Sequence, residues 1–397
     1  MNVLIQLSHP AHFHLYKIVA KNLMEDGNKV LFVIKSKDIL ETLLQNAGLP
    51  YVNINQHAHR GSKFGILWDM FVREWRIIKL CRKHKIDLIT GSTPETAHVS
   101  WLLRIHGVNT GEDDLDVVPA FKKIAGPVIQ CFVAPDPCDA GPVENRTAHY
   151  PGYHELAYLH PNHFTPSADV VTGYGIDVTK PYFVMRFASL NAHHDTGIKG
   201  INTDIAKRLI GILENSGSAC SLSDQLVPFS SACSLSADSG NKPRIYITSE
   251  RPLEPQFEKY RIKINPLDMH HVMAFASLYI GDSQTMAAEA GVLGVPFVRF
   301  NDFVGRIGYL RELEDKYELG YGIKASAEGS VEKLCERVEA LVTMKADERK
   351  ATFAARRSKM LEEKIDCAKF LTWFIENYPS SASEVKNATP DFWERFK

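Results

Sequence analysis

The sequence predicts an α/β protein with two Rossmann-like halves, each a parallel sheet covered by helices, the two facing a cleft. Three observations predict it. Short apolar runs of strand length alternate with longer segments whose apolar residues recur at helical spacing. The first run, helix and second run are spaced as a βαβ unit, which requires parallel strands. The 397 residues suit two or three domains, and the stretch 135–166, rich in Pro, Gly, His and Tyr, reads as the crossing between two of them.

The first half is expected over residues 1–166. Residues 3–7 form its first strand, and residues 8–14, Ser-His-Pro-Ala-His-Phe-His, form the loop after it. A helix carrying Leu15, Ile18, Val19 and Leu23 on one side ends near Asp26 and Gly27, and residues 30–34 are the second strand. The pattern continues with a helix over 39–47, an extended segment at 51–54, a long amphipathic helix over 66–84 and a strand at 88–90. Ligands of open parallel sheets sit outside the carboxyl ends of the strands, so the loop 8–14 and the turn 91–95 should border the cleft. His9, His12 and His14 are therefore candidate catalytic residues; the alternative is one helix-capping imidazole and two solvated ones. Residues 111–116 include Glu112, Asp113, Asp114 and Asp116, which can hold a divalent cation, supply a base, or simply complement a following helix.

The second half is expected over 167–376. Residues 182–186 open it as a strand ending in Arg186, and the polar loop after it carries Asn191, His193, His194 and Asp195, a set suited to an anionic ligand or to an ordinary surface loop. A helix over 204–214 follows. Residues 216–241, biased to Ser, Ala and Gly and nearly repeating themselves at 218–223 and 231–236, read as a mobile insertion. Strands at 245–248 and 262–264 and a helix over 267–275 lead to residues 281–298. Beyond them, helices are expected over 330–342 and 347–376. The last carries Phe370, Trp373 and Phe374 on a face suited to packing back on the first half. A tail over 377–397 holds Phe392, Trp393 and Phe396, either docked or in contact with another chain.

Residues 281–298 are the stretch on which the chain is organised. Residues 278–280 are a buried-strand run, Gly281, Asp282 and Ser283 suit a tight turn and a helix cap, and Met286, Ala290 and Leu293 share one helical face. Gly294 and Pro296 stop the helix before the next apolar run. The N–H groups that open a helix have no internal partner and carry the positive end of its dipole, so this turn can receive a phosphate. Ser283 and Thr285 add hydroxyl donors, and Glu289 can accept from two ribose hydroxyls, or can be an ordinary solvated helix residue.

Lys plus Arg total 46 and Asp plus Glu 47, a net charge of −1 that argues against a general nucleic-acid or membrane-surface role. The seven cysteines show no disulfide framework and no metal-like spacing, which suits a reducing compartment. With no signal-like N-terminus and no apolar run long enough to span a bilayer, the protein is expected to be soluble and cytoplasmic.

The paired α/β halves, the His-bearing first loop and the Asp-Ser…Glu-Ala…Gly-x-Pro unit together resemble the two-domain GT-B fold of sugar-nucleotide proteins. The resemblance is strongest to the non-hydrolysing UDP-N-acetylglucosamine 2-epimerases and to the glycosyltransferase that forms lipid II. It implies that Ser283, Gln284 and Thr285 contact a UDP diphosphate and Glu289 the ribose. His12 matches in position the histidine of the lipid II enzyme's glycine-rich loop, here without the glycines, and His193, His194 and Asp195 lie near a basic segment of the epimerases. Over the whole chain, residues 8–10, 154–161 and 192–195 look most like an uncharacterised bacterial and archaeal family of GT-B-like proteins.

The implied activity is that of a metal-independent glycosyltransferase in cell-surface polysaccharide or glycoconjugate synthesis. Its substrate is a nucleotide-diphosphate sugar, UDP-linked by preference, with no further cofactor. The backbone amides of Ser283, Gln284, Thr285 and Met286, with Arg186, would stabilise the departing diphosphate, while His12 or His14 deprotonates a glycan, lipid-linked or small-molecule acceptor. Two alternatives stand beside it. One is a UDP-sugar 2-epimerase or hydrolase using His193, His194, Asp195, Glu95 or Asp113, and the other a binding protein that keeps the cleft without the base.

Overall fold

The computed structural model describes residues 1–35, 38–54, 63–188, 200–216 and 244–397. The chain divides into two compact units, one comprising Met1–Thr165, Arg306–Glu312 and Met360–Lys397, the other Pro166–Gly305 and Leu313–Lys359.

Among the described residues the first unit contains a seven-stranded parallel sheet in the order β3-β2-β1-β4-β5-β6-β7. Its strands are β1 (Asn2–Leu7), β2 (Lys29–Ile34), β3 (Tyr51–Asn53), β4 (Leu88–Gly91), β5 (His106–Thr110), β6 (Cys131–Pro135) and β7 (Thr147–Tyr150). Its helices are α1 (Pro10–Glu25), α2 (Asp38–Asn46), α3 (Lys63–His84), α4 (Pro94–Leu103), α5 (Pro119–Ala125) and α6 (Leu156–Leu159). Near-continuous apolar strands such as Val3, Leu4 and Ile5, all fully buried, are what a sheet covered on both faces demands.

The second unit has a five-stranded parallel sheet in the order β12-β11-β10-β8-β9. These strands are β8 (Tyr182–Phe187), β9 (Arg244–Ser249), β10 (Leu278–Gly281), β11 (Phe297–Phe300) and β12 (Gly320–Ile323). Its helices are α7 (Ala168–Gly173), α8 (Thr203–Asn215), α9 (Met269–Ala274), α10 (Gln284–Val292), α12 (Ser330–Thr343) and α13 (Ala346–Glu363), which passes into the first unit at Met360, with α11 (Gly308–Arg311) falling in the first unit. The segment 262–264, expected as a strand, is not one: an isolated bridge joins Ile247 to Arg261 just before it, and Ile262 N donates to Ile247 O at 3.1 Å.

The chain then returns to the first unit through α14 (Cys367–Glu376), α15 (Ser380–Lys386) and α16 (Pro390–Glu394). The sequence assigns these residues to the second half and to a tail. One helix over 347–376 is also replaced by two, because Asp366 caps α14, its carboxylate accepting from Lys369 N at 3.1 Å. That carboxylate also accepts from Asn162 Nδ2 at 3.1 Å and His163 Nε2 at 2.8 Å. Phe392, Trp393 and Phe396 pack round Phe370 and Trp373, with Arg395 over the Trp373 ring, so the tail is docked.

Candidate functional site

A ligand crevice in an open parallel sheet forms where successive connections leave in opposite directions. In the second unit that switch lies between β8 and β10, and the two strands pair so that Arg186 stands beside Gly281 at their carboxyl ends. Gly281 admits no side chain, since a Cβ there would lie 2.4 Å from Tyr279 Oη and 3.0 Å from Arg186 O.

Directly after β10, the fully buried Asp282 ties the crevice together. Its Oδ1 accepts from Ala188 N at 2.6 Å and its Oδ2 from Ile201 N at 3.3 Å, while Arg251 stands 4.0 Å away. Asn301, beyond β11, donates to Asp282 O at 3.0 Å. Burial pushes the Asp282 carboxyl up to about 6, against the pull of the Ala188 N–H and the Arg251 charge.

Ser283 caps α10, accepting from Met286 N at 3.4 Å. That contact occupies the Met286 amide, so Gln284 and Thr285, partly exposed on the first turn, are the positions whose N–H groups face outward from the helix start. Glu289, a turn further on, is buried, and its Oε1 meets His270 Nε2 at 2.9 Å. Arg186 reaches Glu250 through its guanidinium while its Nε is buried without a hydrogen-bond partner. His193, His194, Asp195 and Asn191 lie outside the described residues.

The switch point of the first unit lies between β1 and β4, where Gln6 stands beside Gly91. The expected loop over 8–14 is largely helix here. His9 is the N-cap of α1, accepting from Ala11 N at 3.2 Å, and Pro10 occupies the first turn, where its missing N–H costs nothing. His12 Nδ1 lies 3.3 Å from Ser8 Oγ. His14 turns inward against Phe13 and Tyr158 and is buried. Ser92, Thr110, Tyr16 and Thr90 form a hydroxyl chain at this edge, with contacts of 3.0, 3.1 and 2.7 Å.

Glu95 is buried and paired with Arg73 at 2.8 Å. Burial raises its carboxyl, but the Lys35 and Arg73 charges outweigh that and hold it below the ordinary value. In the acidic segment, Asp114 accepts from Gly308 N at 2.6 Å and Asp139 N at 3.0 Å, tying loops together ahead of α5. Among the described residues no group of three or more His, Cys, Asp or Glu side chains is placed to hold a metal ion.

No protein-family model matches the sequence, and no curated protein does. Solved structures match it in fold. The UDP-GlcNAc 2-epimerase of Methanocaldococcus jannaschii, in complex with UDP-GlcNAc and UDP, gives a TM-score of 0.58 at 14% identity over 87% of this chain and 94% of that one. The spinosyn forosaminyltransferase SpnP gives 0.60 at 14% identity over 95% and 98% of the two chains, and Acinetobacter baumannii MurG gives 0.54 at 12% over 95% and 99%. The chain has the GT-B fold. In this GT-B chain the sequence marks the strand, turn and helix at 278–292 and names Asp282 only as a turn or cap residue, without its buried tying role, and it leaves His270 and Arg251 unmarked. Asp282 had a signal, an acidic residue where a buried strand ends, whereas the partners of Asp282 and Glu289 come from other elements and leave no local mark.

Proposed function

We propose that this GT-B chain is an enzyme acting on a nucleoside-diphosphate sugar, UDP-linked by preference, and that it transfers the sugar to an acceptor hydroxyl. The observation that supports the reading is the β8/β10 switch point, where Arg186 stands beside Gly281 and α10 begins three residues later, with Glu289 further along that helix against His270. The N–H groups of Gln284 and Thr285, with the α10 dipole and Arg186, bind the diphosphate and stabilise its charge as it leaves. Glu289, oriented by His270, accepts from the ribose hydroxyls.

His12, whose Nδ1 is engaged with Ser8, is the base for the acceptor; His9 is committed to its cap and His14 to the interior. Transfer is preferred over epimerisation or hydrolysis on one observation. Glu95, one of the five residues open to those reactions beside His193, His194, Asp195 and Asp113, is held ionised in an ion pair, which makes it a weak base.

Titration with UDP tests the site. Glu289→Ala weakens UDP binding by roughly tenfold to a hundredfold, as expected for losing a hydrogen bond to a charged group; unchanged affinity removes Glu289 from the ribose role. With a panel of nucleotide sugars and acceptors, His12→Ala lowers turnover by about a hundredfold or more and leaves UDP affinity intact. Sugar release or interconversion without any acceptor would instead support the epimerase or hydrolase reading.

A further inference from the structure

The outer face of α3 is apolar where it should be polar. Trp68, Phe71 and Trp75 fall at i, i+3 and i+7 and are 64, 58 and 50% exposed, while Ile77 and Cys81 on the opposite face are buried in the core. The same stripe continues into Lys79 and Arg82 at i+11 and i+14, both exposed, so one helical line runs from aromatic to basic. The Lys79 ammonium lies 3.4 Å from the centre of the Trp75 ring, and the Trp68 and Phe71 rings are 5.8 Å apart.

The neighbouring helices extend the face. His98 of α4 bonds Glu74 of α3 and, at 2.9 Å, Ile124 O of α5, and this row exposes Trp101, Leu102 and Ile124. Exposed aromatics in such number are costly in water unless something covers them. The charge beside them points to what does. Arg82, Lys83 and His84 form the last turn of α3 and Lys85 follows, whereas Glu74 is taken up by His98 and Asp87 by Asn2 N. The chain's net charge of −1 hides this local excess of cations.

We infer that the α3 stripe of Trp68, Phe71 and Trp75, fringed by Lys79 and Arg82, docks the first unit on an anionic lipid surface. Indole and phenyl rings settle at headgroup depth, and the long basic side chains reach the phosphates. No helix among the described residues is long and apolar enough to cross a membrane, so the attachment is peripheral. It does not depend on the nucleotide-sugar reading and is measured without substrate.

Flotation of the full chain with phosphatidylcholine vesicles, with and without phosphatidylglycerol, tests it. Binding is expected to the anionic vesicles at low salt, with a blue shift of tryptophan emission, and to fall as salt rises. Lys79→Ser with Arg82→Ser should weaken it roughly twenty-five-fold, at about fivefold per cation. Phe71→Ser with Trp75→Ser should weaken it at least as much with an unchanged far-UV melting curve. No binding to either vesicle overturns the inference, as does salt-insensitive binding to both. So does a dimer in light scattering that Trp75→Ser dissociates, which would assign the face to a second copy.

Discussion

In each sheet the connections change direction once, between β1 and β4 in the first unit and between β8 and β10 in the second, and each crevice is closed by the start of a helix. The two are built from different materials. The second has a serine cap, a buried aspartate holding three neighbouring segments, and a carboxylate-imidazole pair one turn along. The first has an imidazole cap, a second imidazole held by Ser8 and a chain of hydroxyls. Fixed backbone donors suit a ligand whose charge is constant, whereas imidazoles and hydroxyls suit a proton that moves. One topology is thus furnished twice with different side chains.

The comparison extends to acid. His154, buried in the first unit 3.2 Å from Glu112, has its basicity lowered by burial from 6.5 to about 3. A base depressed in the folded state favours folding while neutral, and that contribution is lost as pH falls from 6.5 towards 3. The loss is worth up to about 5 kcal/mol, so His154→Gln should flatten the acid limb of first-unit stability. The five tryptophans, at 68, 75, 101, 373 and 393, all lie in the first unit, so their fluorescence in urea reads it. An unchanged slope would remove His154 as the cause.

Asp282 has the opposite sign. Its carboxyl is raised from 3.8 to about 6, so protonation favours the folded second unit, a contribution complete below 3.8 and lost as pH rises through 6. Relative to Asp282→Asn, the wild type should gain up to about 3 kcal/mol between pH 7 and 4, followed by amide exchange in β8 and β10. Equal profiles would mean that the buried carboxylate is not what titrates. The smallest contrast is between the caps. Ser283→Ala should cost about 1 kcal/mol and His9→Ala only a few tenths, since imidazole is not a favoured cap; equal costs in urea midpoints would erase the distinction between the two helix starts.

What could be read from the sequence follows from how local each signal is. The β10 run, the Ser283 cap and the Gly294 stop sit within twenty residues of one another, and the structure has all three. The strands β5, β6 and β7 are four or five residues long and include His106, Asn109, Thr110, Thr147 and His149, so periodicity alone does not declare them. The helical start at Pro10 was legible in principle, because proline at a first turn is a helix signal, yet the three histidines around it read as a loop. Glu289 was visible as a carboxylate on a helix. Its burial against His270 depends on the approach of α9 to α10, which no spacing within either helix encodes.

The first unit takes in Met360–Lys397, and this has a bearing on the order in which the protein is made. Asn22 of α1 bonds Thr372 at 3.3 Å, Asn28 bonds Glu376 at 2.7 Å, and Ile365 N donates to Pro151 O at 3.0 Å. On a ribosome, the opening strands and helices emerge well before the helix that covers α1. The second unit, made in between, has all its residues available first. The unit whose strands are made before the other is therefore the one that finishes folding after it, and its apolar α1 face must wait through the synthesis of the second unit.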